Sequence, residues 1–156
     1  MKPMRMTFAA AALLTLASAV FAGRQAPDPV IGTWKLNVAQ SSGVVPKSEM
    51  RTYAAVADGV KLTYTRQTAD GQESTVQTTY KPDGKDYPVT GSSTYDTLSA
   101  KRIDSHTTQA TQKRDGKIVG TTTRTVSKDG KTLTLVNKTS VEPGAAPTST
   151  LVFDRQ

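Results

Sequence analysis

Apolar and polar residues alternate along most of the chain, in short segments separated by turn-forming residues. In residues 60–65, for example, Val60, Leu62 and Tyr64 alternate with Lys and Thr. This period of two is typical of a β-strand that buries one of its faces. No segment carries apolar residues at helical spacing over several turns, so the pattern predicts an all-β chain.

The alternation predicts nine strands, which lie at 30–38, 49–57, 60–68, 72–80, 96–104, 106–113, 117–127, 131–141 and 148–155. Five Asp-Gly pairs accompany them, at Asp58-Gly59, Asp70-Gly71, Asp83-Gly84, Asp115-Gly116 and Asp129-Gly130. Asp-Gly favours the tight hairpin turn in which both central residues have positive φ. Residues 85–95, with Pro88 and Gly91, form the one stretch between strands that is long enough to hold a further element.

Hairpins between successive strands imply that each strand pairs with its neighbour in the sequence. Closing such a sheet removes its exposed edges. We therefore expect a single antiparallel up-and-down β-barrel of about eight to ten strands.

The first 22 residues have the three parts of a secretory signal peptide. Lys2 and Arg5 precede an apolar stretch at 8–20, and small residues lead to a cleavage point after Ala22. The stretch is too short to span the roughly 30 Å of a bilayer core as a helix, and no cysteine follows it to carry a lipid. We expect 1–22 to be removed and 23–156 to form the barrel domain. The protein would then be periplasmic or extracellular, without a stable membrane anchor.

Composition narrows the chemistry that the chain can perform. It contains no cysteine and one histidine, His106, which excludes thiol catalysis, disulfides and Cys/His zinc sites. Ser105 and Asp104 lie beside His106, but a catalytic triad is assembled by geometry and not by sequence adjacency. We expect a surface histidine in a turn, no catalytic residue, no bound metal and no cofactor.

The formal charge of +7 falls to +5 when Lys2 and Arg5 leave with the signal peptide. The remaining basic residues alternate with acidic ones, and no aromatic residues are interleaved with a basic stripe. A nucleic-acid groove needs a continuous run of basic residues and aromatic residues between them. The sequence has neither, so we expect no nucleic-acid partner. An anionic ligand stays compatible with this charge, and the sequence leaves the oligomeric state open.

The segment Gly32-Thr33-Trp34-Lys35-Leu36-Asn37 resembles the opening of lipocalins and of the related fatty-acid-binding proteins. Further segments resemble small secreted bacterial lipocalin-like proteins of unassigned function, at 84–91, 95–97, 101–104 and 126–132. The resemblance implies a bacterial lipocalin-like barrel in which Gly32 and Trp34 form a structural plug at one end. It also implies a basic residue packed on Trp34, with Arg155 as the first candidate and Arg124 as the second.

The chain departs from fatty-acid-binding proteins in its ligand site. Residues 39–48 are too few for the two-helix lid of those proteins, and they contain Gly43 and Pro46. The positions that match their carboxylate-binding Arg-x-Tyr pair look like Leu151 and Phe153. That carboxylate site is therefore not expected in this chain.

Two arginines suggest a different ligand site. Arg66 continues the inward face of Leu62 and Tyr64, and Arg124 lies on the inward face of its own strand. If 85–95 holds no extra strand, both arginines approach one barrel mouth, near the Asp-Gly turns at 70–71 and 129–130. They would reach solvent there, pair with an acid such as Asp70, or orient an anionic head group. The predicted ligand-binding residues are Arg66, Arg124, Tyr64 and Leu62.

Three classes of function are compatible with these sequence features. The first is an exported binding protein for a small apolar or amphipathic molecule. The second is a non-catalytic interaction or structural module of the cell envelope, whose barrel is filled and holds no ligand. The third, a hydrolase or isomerase, would rest on His106 alone. We expect the first, and no enzymatic activity.

Overall fold

A computed structural model describes residues 27–139 and 148–156. The predicted signal peptide, 1–22, lies outside the described residues. Within them the chain forms a short 3₁₀ turn, Val38–Gln40, and eleven strands. The strands are β1 Gly32–Leu36, β2 Ser42–Gly43, β3 Ser48–Val56, β4 Gly59–Gln67, β5 Glu73–Tyr80, β6 Asp83–Thr90, β7 Thr97–Arg102, β8 Thr107–Arg114, β9 Lys117–Val126, β10 Thr132–Lys138 and β11 Ser149–Arg155. No helix in this part of the chain has the length and apolar character needed to cross a membrane.

Ten of the strands close into an antiparallel barrel. β1 pairs with β3, each later strand pairs with the next, and β11 pairs back with β1. The short strand β2 adds two residues to the edge of β11. The predicted all-β, up-and-down barrel is confirmed.

The predicted count of nine was one too low for the barrel, because residues 85–95 contain most of β6, and it also omitted the two-residue strand β2. Pro88 cannot donate a backbone hydrogen bond, and β5 and β6 are registered only at Gln77–Thr90 and Thr78–Val89. The Thr78 hydroxyl donates to the Pro88 carbonyl over 2.9 Å and adds a side-chain link across this seam. Gly91 has φ +80°, and a Cβ there would lie 1.9 Å from the Thr75 carbonyl oxygen. Pro88 therefore lies within an irregular strand pair, and Gly91 turns the chain directly after β6.

The Asp-Gly pairs form turns of several kinds. Asp115 and Gly116 have φ values of 50° and 75°, the positive pair that was expected of a tight hairpin. Asp83-Gly84 instead begins β6, where the register with β7 shifts between Asp83 and Asp86. The prediction that this pair forms a hairpin turn was wrong, since the β5–β6 connection is at residues 81–82.

Alternating strand directions define two ends of the barrel. The open end carries the connections at 37–47, 68–72, 91–96 and 115–116. The closed end carries the connections at 57–58, 81–82, 103–106 and 127–131, together with the N-terminal segment 27–31. The most deeply buried side chains belong to Trp34, Phe153, Leu133, Leu135, Leu151, Val30 and Val126.

Trp34 lies at the closed end and is fully buried. Its indole Nε1 donates to the Val30 carbonyl over 2.7 Å, and the guanidinium carbon of Arg155 lies 4.1 Å from the ring centroid. Arg124, the second candidate for this contact, lies over Tyr53 instead, at 5.3 Å.

Arg155 also ties the N-terminal segment to the barrel. Its guanidinium donates to the carbonyls of Pro29 at 2.6 Å, Ile31 at 2.8 Å and Gly130 at 2.5 Å. Gly32 has φ +140°, and a Cβ there would lie 2.5 Å from Arg155 Nη1. A glycine at this position therefore leaves room for the arginine to reach across the end of the barrel.

Replacing Trp34 tests how far this end supports the fold. Trp34→Ala removes a fully buried aromatic side chain, so we expect a loss of about 3–5 kcal/mol in the free energy of unfolding, measured by urea denaturation. Lys35→Ala, at the adjacent exposed position, is the control and should change little. A Trp34→Ala protein as stable as the wild type would contradict the structural role of Trp34.

Candidate functional site

A cavity of about 540 Å³ lies inside the barrel between the buried core and the open end. Val44, Thr94 and Thr139 line its mouth and are exposed. The predicted ligand-binding residues Leu62, Tyr64, Arg66 and Arg124 all line the cavity. Four tyrosines contribute to its wall, while none of its described lining residues is acidic.

A buried carboxylate binds two arginines in the part of the cavity nearest the open end. Glu49 is 3% exposed and lies opposite Arg66 in the β3–β4 register. Its two carboxylate oxygens accept from Arg51 Nε and Arg66 Nε, the second at 2.5 Å. We call these three residues the Glu49 cluster. One carboxylate faces two guanidinium groups, so the cluster carries a surplus of one positive charge.

Arg51 lies against aromatic rings within this cluster. Its guanidinium carbon is 4.3 Å from the Tyr64 centroid and 5.5 Å from the Phe153 centroid. Burial by itself would lower the pKa of Arg51, but the Glu49 carboxylate and the neighbouring tyrosines outweigh burial and raise the pKa. Arg51 is therefore charged, and its charge is held by ion pairing and by cation–π contact.

Arg66 pairs with an acid, which was one of the three predicted alternatives, but the acid is Glu49 and not the suggested Asp70. The Asp70 carboxylate accepts from Thr68 Oγ1 within its own turn, whereas Arg66 binds Glu49. An Asp two residues after a hydroxyl side chain can accept a hydrogen bond from it within the same turn. Glu49 points into the barrel, and its carboxylate therefore reaches Arg66.

A second charged cluster lies at the deep end of the cavity. Arg124 Nη1 donates to the Tyr80 hydroxyl at 2.8 Å, and Nη2 donates to Thr108 Oγ1 at 3.0 Å and to Asp28 Oδ2 at 3.2 Å. The same Asp28 oxygen accepts from Arg102 Nη2 at 2.6 Å. These five residues are the Arg124 cluster. It too has one carboxylate for two guanidinium groups.

Arg66 and Arg124 therefore occupy opposite ends of one cavity. The prediction that they share a mouth was wrong, because β6 is an additional strand and reverses the direction of every later one. Arg66 lies on β4 near the open end, one residue before that strand finishes. Arg124 lies on β9 near the closed end, two residues before that strand finishes.

The tyrosines supply hydroxyl groups at both levels. The Tyr64 and Tyr95 hydroxyls are 3.0 Å apart, and the Tyr53 hydroxyl accepts from Arg51 Nη1 at 3.3 Å. Burial raises the pKa of Tyr95, with a further contribution from Tyr64. Burial also raises the pKa of Tyr80 to about 12, although Arg124 acts in the opposite direction. Both phenols keep their protons at neutral pH.

A chain of polar side chains crosses the wall formed by β8 to β11. Gln112 Nε2 donates to Thr122 Oγ1 at 3.4 Å, and Thr122 Oγ1 donates to Asn137 Oδ1 at 2.7 Å. Asn137 Nδ2 donates to Ser149 Oγ at 3.0 Å. All four residues line the cavity, so its wall is not the continuous apolar surface that suits an alkyl chain alone.

His106 lies in the connection at 103–106, outside the lining of the cavity. Its Nδ1 is 2.8 Å from Ser105 Oγ. The Asp104 carboxylate accepts from the backbone N–H groups of His106 and Thr107, both at 2.8 Å, instead of from the imidazole. Among the described residues no group of three His, Asp or Glu side chains is placed to hold a metal ion.

The raised pKa of Tyr80 makes the free energy of unfolding depend on pH in the alkaline range. A folded-state pKa of about 12 exceeds the value of about 10 for a solvated tyrosine. The resulting stability is fully present below about pH 10 and is lost as pH rises towards the folded-state value. We expect the urea midpoint to fall between about pH 9 and about pH 11. Tyr80→Phe, which has no phenolic proton, should show a smaller fall. Equal falls in the two proteins would contradict the assignment.

No protein-family model matches the sequence, and no curated protein matches it. The lipocalin resemblance therefore stays an expectation from the segments that suggested it. The cavity and its two charged clusters are the features that bear on function.

Proposed function

We propose that this is an exported binding protein for a small amphipathic molecule that carries negative charge. The ligand lies inside the barrel, and the protein acts in the periplasm or outside the cell. The proposal includes no catalytic step, since the one histidine is outside the cavity.

The observation that carries the proposal is the cavity of about 540 Å³ inside the barrel. Sites for small molecules have volumes of about 300–1,000 Å³ and combine apolar walls with a few placed polar groups. Leu62, Leu98 and Leu135 line this cavity together with tyrosine and arginine. The volume and the mixed lining fit a compact amphipathic ligand.

Charge supports an anionic ligand over a neutral one. Arg51, Arg66, Arg124 and Lys138 line the cavity. The acids that neutralise part of this charge, Glu49 and Asp28, each serve two arginines. A positive surplus in a site of low dielectric attracts anions more strongly than the same charge does in water.

The alternative, an envelope module with a filled barrel, requires packed side chains where this cavity lies. A void of this size leaves its lining without dispersion contacts unless water or a ligand occupies it. A bound ligand would fill the cavity and contact its lining, whereas a purely structural role does not require a cavity.

Filling the cavity tests the proposal. Ala110→Trp places a large side chain in the lining and should abolish saturable binding of two fluorescent probes, neutral N-phenyl-naphthylamine and dansyl-labelled undecanoate. Gln109→Trp adds the same side chain at the adjacent exposed position and should leave binding unchanged. Circular dichroism checks the fold of both variants. No saturable binding to the wild type, or equal binding by the two variants, would refute ligand binding in the cavity.

A further inference from the structure

The Arg124 cluster has more hydrogen-bond donors than acceptors. The hydroxyls of Tyr80 and Thr108 each accept from Arg124, and neither donates its own proton to any described residue. The Nε–H of Arg124 is buried and has no acceptor in the described ranges. Three donor hydrogens therefore lack partners.

These three donors lie close together. One belongs to Arg124, and the other two are on oxygens 2.8 and 3.0 Å from its terminal nitrogens. Tyr80, Thr108 and Arg124 are 4%, 3% and 7% exposed, and all three line the cavity. Buried donors without acceptors are costly, so a group that supplies acceptors at this point is favoured.

The charge of the cluster adds a second condition. Asp28 Oδ2 is 2.6 Å from Arg102 and 3.2 Å from Arg124, so the single carboxylate is held more closely by Arg102. An anionic acceptor is thus favoured over a neutral one, because it also balances the remaining positive charge.

Three unpartnered donors and one surplus positive charge match a head group with three free oxygens. A carboxylate has two oxygens and would have to share one of them between two donors, while the head group of a sulfate, sulfonate or phosphate monoester offers a separate oxygen to each of the three. We propose that the deep end of the cavity binds a tetrahedral oxyanion that is the head group of the amphipathic ligand. This proposal rests on the proposed function.

The rest of the cavity fixes the orientation of such a ligand. Leu62, Leu98 and Ala100 line the cavity, and the exposed residues of the mouth lie at the open end. The ligand therefore enters with its oxyanion first, and its apolar part extends along these apolar side chains towards the mouth.

Ligands that share one tail and differ in the head group test the proposal. Decyl sulfate, decyl phosphate, decanoate and decanol are titrated into the wild-type protein by calorimetry, below their micelle concentrations. Decyl sulfate and decyl phosphate should each bind about tenfold or more tightly than decanoate, because a hydrogen bond to a charged group is involved. The two oxyanion arms show which head group is preferred. Inorganic sulfate, which has no tail, should bind much more weakly than decyl sulfate.

Two variants locate the effect. Thr108→Val and Tyr80→Phe each remove one hydroxyl donor and retain the shape of the side chain, so each should reduce the preference of sulfate over carboxylate about tenfold. Thr107→Val is the control, because the adjacent residue is outside the cavity lining and should leave the preference unchanged. Urea denaturation confirms that each variant is folded.

The outcomes separate the two proposals. Decanoate binding as tightly as decyl sulfate, or a preference that survives in both hydroxyl variants, would overturn the oxyanion site and leave ligand binding intact. Inorganic sulfate binding as tightly as decyl sulfate would overturn the amphipathic ligand. Absence of binding by all four alkyl compounds would overturn both the site and the proposed function.

Discussion

A guanidinium group cannot discard its proton when it is buried, and this constraint organises the interior of the barrel. Arg51 and Arg124 are 8% and 7% exposed, so each needs a counter-charge within the protein. Glu49 and Asp28 provide it, and each acid also holds a second, more exposed arginine. Sharing one acid between two bases balances the buried charge only in part. The electrostatic character of the cavity follows from that incomplete balance.

Strand parity decides how the two charged clusters are arranged. With β6 in the barrel, β4 and β9 run in opposite directions, and their arginines lie at opposite ends. A cavity with one cluster near the mouth and one near the floor can hold the two ends of a ligand in different environments. The presence of one strand, β6, therefore determines where the two clusters lie in the cavity.

The barrel could be predicted from sequence because its signal is repeated in every strand. Alternation in segments such as that of Leu62 and Tyr64 predicts the sheet. This prediction does not depend on any one residue. β6 was missed because Pro88 and Gly91 normally end strands. Pro88 is accommodated within β6 because β5 and β6 are joined at so few positions, and Gly91 directly follows the last residue of β6.

The residues of the site were harder to predict, for identifiable reasons. In β3 the buried positions hold Glu49 and Arg51 while Met50 is 41% exposed, so hydropathy assigns the wrong face. Pairing β3 against the phase of Leu62 and Tyr64 identifies the buried face. Asp28 precedes the first predicted strand and lies 96 positions before Arg124 in the sequence. No local sequence pattern predicts an ion pair between residues so far apart in the chain.

The bond between Arg155 and the Ile31 carbonyl joins residues that are 124 positions apart. Bringing such distant segments together loses chain entropy before their contacts compensate for it, which slows folding in proteins dominated by non-local pairing. Each internal hairpin can form from adjacent residues, whereas the β1–β11 pairing must wait for both segments to meet. The end of the barrel that Arg155 holds together in the native state is thus the end whose assembly depends on closing almost the whole chain.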